Sequence, residues 1–109
     1  MSNADRSIEE ILMPGGKPIG IKATGPRATA RLRELKGGKD QAEQLFKELS
    51  QGGKDITPPG YLGTLVELPN GQGTIGYRPA SKSGPPTIDV VALDSRGKRI
   101  PIKKIKFVD

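Results

Sequence analysis

The sequence contains neither cysteine nor histidine, and these two absences exclude many common catalytic sites. Without cysteine the chain forms no disulfide and no thiolate metal site. Without histidine it cannot use a Ser-His-Asp or Cys-His arrangement, or a two-histidine ribonuclease mechanism. It also lacks a Walker-type phosphate loop. Its twelve carboxylates are scattered rather than clustered as in a Mg²⁺-dependent nuclease. We therefore expect no metal ion and no cofactor.

Long apolar runs and aromatic residues are also scarce. No apolar run approaches the roughly 20 residues of a membrane span. Two tyrosines and two phenylalanines are few for a base-stacking surface. Residues 1–4 carry no charged and apolar leader pattern and are interpreted as an expression remnant. The remaining length suits one domain, with a helical part over residues 5–55 and a sheet over residues 56–109.

What the sequence has is positive charge. Eighteen Lys and Arg against twelve Asp and Glu give a net charge of +6. The excess is larger in residues 56–109, which carry eight basic and four acidic residues. Such a domain attracts polyanions in a salt-dependent way, so nucleic acid is a natural partner. A merely well-solvated surface is the alternative.

Apolar periodicity predicts helices first and strands afterwards. Ser7 and Glu10 fit a capping box before a short helix, and residues 40–51 carry an apolar stripe at helical spacing behind a capping pair, Asp40 and Glu43. Residues 19–23 allow a short extended piece, and residues 28–35 favour an edge strand over a helix. Alternating residues predict strands over 63–68, 73–79, 87–93 and 103–108, with an Asn-Gly hairpin between the first two. The expected fold class is α+β, with N-terminal helices packed on a four-stranded antiparallel twisted sheet.

Strand alternation predicts a cluster of polar residues on the sheet face that the helix leaves uncovered. If Ile75, Ile88 and Val90 face the helix, Arg78, Thr87 and Asp89 emerge together on the other side. Lys104 and Lys106 join them from the last strand, because Ile105 and Phe107 point inward.

This set of residue types suits cleavage of RNA through its own 2′-hydroxyl. The substrate supplies the nucleophile, so the protein needs cations that hold the phosphate and stabilise its developing charge. The proton donor and acceptor are left open among Asp89, a lysine, Tyr77 and hydroxyl groups. The competing interpretation is structural: Arg78 simply pairs with Asp89, and Lys103, Lys104 and Lys106 protect an edge strand from aggregation.

The stretch from residue 39 onwards resembles the C-terminal toxin modules of bacterial contact-dependent growth-inhibition and related polymorphic toxin proteins. The most specific part is the run Arg-x-x-Ser-x-Ser-Gly-x-Pro-Thr-Ile-Asp at residues 78–89. The resemblance implies a fold similar to the barnase–EndoU–colicin–RelE group, with an open sheet face that cleaves RNA. Such modules are typically directed at tRNA and are inhibited by a cognate immunity protein. The lack of histidine sets this chain apart from barnase-like and EndoU-like sites.

The sequence therefore predicts a metal-independent endoribonuclease toxin, with an acidic immunity protein as partner and a host activating factor as an option. Secretion or surface presentation within a larger protein, and action in the target-cell cytoplasm, are expected. The candidate catalytic residues are Arg78, Thr87, Asp89, Ser81, Ser83 and Tyr77. The candidate substrate-binding residues are Lys82, Lys103, Lys104, Lys106 and Arg27. The alternatives are a non-catalytic nucleic-acid-binding domain, a domain that binds an acidic protein, and a DNA-cleaving toxin.

Overall fold

The computed structural model describes residues 7–23, 31–79 and 85–108 of the 109-residue chain. In this part of the chain one mixed sheet of seven strands carries a long helix on one face. The sheet order is β1-β2-β7-β6-β5-β4-β3. In chain order the elements are α1 (Ile8–Leu12), β1 (Ile21–Lys22), β2 (Leu32–Lys36), α2 (Gly38–Leu49), β3 (Lys54–Asp55), β4 (Thr64–Glu67), β5 (Gly73–Arg78), β6 (Thr87–Ala92) and β7 (Lys104–Val108).

The predicted fold class is wrong, because the sheet has seven strands and is not purely antiparallel. β2 runs parallel to β7, with Leu32 opposite Lys104 and Lys36 opposite Val108. The four predicted strands exist as β4–β7 and pair antiparallel. The two-residue strands β1 and β3 then extend the sheet at its two ends. α2 is the one described helix longer than five residues, so the N-terminal part is not mainly helical.

The strand β2 is interior rather than at an edge. It is hydrogen-bonded to β1 on one side and to β7 on the other. Parallel neighbours require a long crossover, which here includes α2 and four other strands. Local alternation of side chains identifies a strand without revealing a partner so distant in the chain, and this is why the edge assignment is wrong.

The helix α2 begins at Gly38, two residues before the predicted start. Its N-cap is Gly37, whose φ of 111° lies in the left-handed region that glycine adopts readily, and no side chain caps this end. The Asp40–Glu43 capping pair is therefore not formed. The Gly37 N–H donates to the Val108 carbonyl at 2.9 Å, which joins the start of α2 to the end of β7.

The core lies between the sheet and the two helices. α2 contributes the predicted stripe, with Ala42, Leu45 and Leu49 buried and Phe46 half-buried. α1 buries Ile8, Ile11 and Leu12, and the Glu10 N–H donates to the Ser7 Oγ at 3.1 Å as the predicted cap requires. The sheet supplies Ile75, Ile88, Val90, Ile105 and Phe107. Full burial of a valine, leucine, isoleucine or phenylalanine side chain stabilises the fold by about 1.5–3 kcal/mol before the entropy cost.

The hairpin between β4 and β5 turns where the sequence predicts. Asn70 and Gly71 both have positive φ, 61° and 70°. Asparagine and glycine tolerate this conformation better than other residues, which is why the Asn-Gly pair marks the turn. Among the described residues, no helix is long and apolar enough to cross a membrane.

Candidate functional site

Polar side chains from three adjacent strands lie together on the sheet face opposite α2. We call Arg78, Thr87, Asp89, Lys104 and Lys106 the open-face cluster. The register pairs Arg78 with Thr87, Thr87 with Lys106, and Asp89 with Lys104. Because neighbouring side chains in a strand alternate between faces, residues at paired positions share one face. The predicted juxtaposition of these five residues is confirmed, while their roles stay predictions.

At the centre of the open-face cluster, Arg78 forms a two-point ion pair with Asp89. The Arg78 Nε lies 2.9 Å from Asp89 Oδ2, and Nη2 lies 3.2 Å from Oδ1. Lys104 approaches the same carboxylate, with its Nζ 3.9 Å from Oδ1. Both carboxylate oxygens are therefore engaged, which suits Asp89 for orienting Arg78 better than for accepting a proton.

The ion pair is partly accessible to solvent, since the Arg78 and Asp89 side chains are 33% and 28% exposed. At such exposure the pair contributes about 1 kcal/mol or less to stability. The guanidinium carries five N–H donors, and Asp89 occupies one on Nε and one on Nη2. The remaining donors on Nη1 and Nη2 can contact a phosphate without breaking the pair.

Tyr61, which is not among the predicted site residues, joins this site. Its hydroxyl oxygen lies 2.9 Å from where a Cβ on Gly76 would be, and Gly76 is paired with Asp89. Burial raises the pKa of the Tyr61 hydroxyl above its usual value; the Asp89 carboxylate raises it further and Arg78 acts in the opposite direction. A glycine inside a strand often marks the close approach of another group, so Gly76 was the available signal.

Tyr77, predicted as a catalytic candidate, lies on the other side of the sheet. Its ring stacks on Phe46 with a centroid distance of 5.4 Å, and its hydroxyl donates to Glu43 Oε2 at 3.4 Å. Burial and the neighbouring Glu43 carboxylate raise the pKa of its hydroxyl. The sheet separates this core residue from the open-face cluster, so the structure does not bring Tyr77 to the predicted site.

The remaining hydroxyl in the cluster belongs to Thr87, which is 7% exposed. Its Oγ1 donates to the Pro85 carbonyl at 3.0 Å and thus closes the start of β6. β2 adds an acidic neighbour, because Glu34 is paired with Lys106. The cluster therefore contains three cations and the Asp89 carboxylate, with Glu34 beside it, so its positive excess is smaller than the lysines alone indicate.

The other predicted site residues are placed elsewhere or fall outside the described residues. Lys103 precedes β7 and lines a cleft with Arg31 and Arg99, outside the open-face cluster. Ser81, Lys82, Ser83 and Arg27 lie outside the described residues. The proposal that lysines 103, 104 and 106 protect an edge strand is wrong, because β7 is hydrogen-bonded on both sides.

Within residues 7–23, 31–79 and 85–108, no group of three or more carboxylates could hold a metal ion.

Comparison with models of known protein families, with curated proteins and with solved structures found no match.

Proposed function

We propose that the open-face cluster binds the phosphate backbone of RNA and cleaves it without a metal ion, through the 2′-hydroxyl of the substrate. One observation carries this proposal. Asp89 orients the Arg78 guanidinium while leaving part of its donors available, and Lys104 lies beside the same carboxylate. A preorganised fork with a second cation is the arrangement that stabilises the extra negative charge of a pentacoordinate phosphate.

In this reaction the 2′-oxygen attacks the adjacent phosphorus and the bond from phosphorus to the 5′-oxygen breaks. The products are a 2′,3′-cyclic phosphate and a 5′-hydroxyl, so one proton passes from the 2′-hydroxyl to solvent water and one is delivered to the 5′-oxygen. Arg78 and Lys104 hold the non-bridging oxygens, and Lys106 extends the cationic surface along β7. Tyr61 is protonated at neutral pH, as tyrosine ordinarily is, and its hydroxyl lies over Gly76, which is paired with Asp89, so it is the candidate proton donor to the leaving oxygen.

The biological setting of the proposal comes from the resemblance of residues 78–89 to toxin modules. On this basis the chain is the toxic part of a larger secreted or surface-presented protein, acts on tRNA in the target-cell cytoplasm, and uses a host factor where activation is needed. An acidic immunity protein would then cover the open-face cluster, since complementary charge accelerates and directs such association.

A non-catalytic RNA-binding domain is the second candidate, and one observation favours it. Arg78 has a two-point carboxylate partner in Asp89, as a purely structural ion pair would. Such a domain would bind RNA with strong salt dependence and leave it intact. Cleavage of DNA is less supported, because DNA lacks the 2′-hydroxyl.

The test is incubation of the purified protein with total bacterial RNA in EDTA, followed by a denaturing gel. The proposal expects discrete tRNA-sized fragments that end in a 2′,3′-cyclic phosphate. The variant Arg78→Ala, purified identically, controls for contaminating ribonuclease, and Arg96→Ala controls for loss of one positive charge far from the cluster. Intact RNA with folded protein, both alone and with a cytoplasmic extract supplying an activator, would overturn the nuclease and favour the binding domain.

A further inference from the structure

A second basic concavity lies beside the open-face cluster, around the beginnings of β2 and β7. We call it the Arg99 cleft. It encloses about 450 Å³. The described residues that line it are Arg31, Arg99, Ile100, Pro101, Ile102 and Lys103. Three of these six are cations and, among the described residues, none that lines the cleft is acidic.

The cations come from separate segments that main-chain hydrogen bonds hold together. The Lys103 N–H donates to the Arg31 carbonyl at 2.8 Å, and Arg99 is bridged to Leu93 at the end of β6. The apolar floor is rigid, because Ile100 and Ile102 are buried and the Ile100 N–H donates to the Ala92 carbonyl at 2.9 Å. The backbone of the cleft is therefore fixed by main-chain contacts, and its three cationic side chains are exposed to solvent.

The charge and shape of this cleft fit an anion with several oxygens. Arginine offers a planar fork and lysine a point charge, the two donors that proteins use for phosphate groups. Arg99 and Lys103 form no ion pair within the described part of the chain.

We infer that the Arg99 cleft is a phosphate subsite for the RNA strand, next to the phosphate that is cleaved. This inference rests on the proposed function for its substrate. Lys103 lies in the cleft and Lys104 in the open-face cluster. Strict alternation would place these two side chains on opposite faces, but Ile102 and Ile105 are both buried, so the alternation is interrupted between them. The pairing with β6 shifts by one residue at the same point, because Asp89 is opposite Lys104 whereas Leu93 is opposite Arg99. A strand held at Lys104 therefore reaches the cleft directly at the start of β7. The cleft then contributes affinity, whereas the cluster performs the chemistry.

The first experiment measures binding of a labelled single-stranded 2′-O-methyl RNA, which cannot be cleaved through the 2′-oxygen, by fluorescence anisotropy at several salt concentrations. Arg99→Ala and Lys103→Ala should each weaken binding severalfold. The logarithm of the association constant falls as the logarithm of the salt concentration rises, and each variant should make this slope less steep by about 0.7. That is the value of about 0.7 for one lost phosphate contact on a single strand. Lys98→Ala, which removes the neighbouring charge outside the cleft, should leave the slope unchanged.

The second experiment measures cleavage kinetics, and it separates this inference from the proposed function. Arg99→Ala should raise KM and leave kcat within about twofold, because a subsite that contacts no reacting atom holds substrate and transition state equally. If the wild-type protein binds the oligonucleotide through the cleft but cuts no RNA, the proposed nuclease activity is refuted and the subsite is retained. Active cleavage with KM, affinity and salt slope unchanged in the Arg99→Ala/Lys103→Ala double variant would refute the subsite alone.

Two further probes test other occupants of the Arg99 cleft. If the double variant loses binding to poly-L-glutamate but keeps its affinity for the oligonucleotide, the cleft serves an acidic protein and the inference is wrong. If inorganic phosphate binds the wild type as tightly as the oligonucleotide does, the cleft holds a free anion and the inference is likewise wrong. Circular dichroism of each variant establishes that the fold is retained.

Discussion

The hydroxyl of Tyr61 lies over Gly76, 2.9 Å from the position that a Cβ atom would take there. Leu65 and Asp89 are the next neighbours of that position, at 3.5 Å and 3.6 Å, which are ordinary contact distances. A hydrogen in place of a side chain thus lets the tyrosine approach the middle of β5. Through this contact Tyr61 comes close to the carboxylate that orients Arg78.

Gly76→Ala should therefore displace the Tyr61 hydroxyl and destabilise the protein by about 1 kcal/mol, the low end of the cost of an added methyl group, because only the end of one half-buried side chain has to move. In a Tyr61→Phe background the hydroxyl oxygen that lies nearest to the new methyl group is absent. Alanine should then be neutral or stabilise by about 0.5 kcal/mol, since it is less flexible than glycine when unfolded. Urea denaturation of the four proteins measures this double-mutant cycle. Equal effects of Gly76→Ala in both backgrounds would show that Tyr61 does not occupy this position.

Arg78→Ala should reduce RNA cleavage by on the order of 10²–10³-fold, as loss of a donor to the transition state does. Its stability should change by about 1 kcal/mol or less, because the ion pair is partly exposed. Arg78→Lys keeps the charge but not the fork, so it should recover only part of the activity. Arg96→Ala, at an exposed turn, is the matched control. Full activity in a folded Arg78→Ala protein would remove Arg78 from the site.

Asp89→Asn tests whether Asp89 orients Arg78 or accepts a proton. An amide keeps the shape and one acceptor oxygen, so an orienting role predicts a fall in cleavage of about tenfold without a change in the pH profile. If Asp89 instead accepts the proton, its replacement should remove the acidic limb of the profile of kcat/KM against pH. Rates measured from pH 4 to 9 distinguish the two roles, with wild type and Arg96→Ala as references.

The elements that depend on local pattern could be predicted from the sequence. The stripe of Ala42, Leu45 and Leu49 identifies α2, and the Asn70–Gly71 pair identifies the hairpin turn. The open-face cluster was also predictable, because alternation in adjacent antiparallel strands decides which side chains share a face. Its members Arg78, Thr87 and Asp89 come from two strands that follow each other in the chain.

The features that depend on distant pairing could not be predicted in this way. The parallel pairing of β2 with β7 depends on which apolar faces meet after a long crossover, and no local period encodes that partner. Tyr61 was missed because it lies between strands and reaches the site through Gly76. The placement of Tyr77 follows from the same alternation that places Arg78, so its selection as a catalytic candidate contradicted the pattern itself.

The two tyrosines should titrate at higher pH than free tyrosine, because burial raises the pKa of both hydroxyls above 10.0. A raised folded-state pKa gives stability that is complete below the unfolded value and is lost as pH rises through the folded value. The free energy of unfolding should therefore decrease above about pH 10. Phenolate absorbance follows the two groups without interference from tryptophan. Tyr61→Phe and Tyr77→Phe assign the two midpoints, and a midpoint at or below 10 for either would contradict its placement.

The side chain of Arg33 joins the N-terminal segment to β2, with its Nε donating to the Ile19 carbonyl at 3.0 Å and its Nη2 to the Gly20 carbonyl at 2.9 Å. The strand β1 has only two residues paired with β2, so it depends on such support. Arg33→Ala should destabilise the protein by about 1–2 kcal/mol, from two charged hydrogen bonds that are partly exposed to solvent. It should also speed hydrogen exchange of the Ala23 amide, which donates to the Leu32 carbonyl. Lys36→Ala, an exposed change in the same strand, should do neither. If the two variants have the same urea midpoint and the same protection at Ala23, β1 is held by its neighbours and not by Arg33.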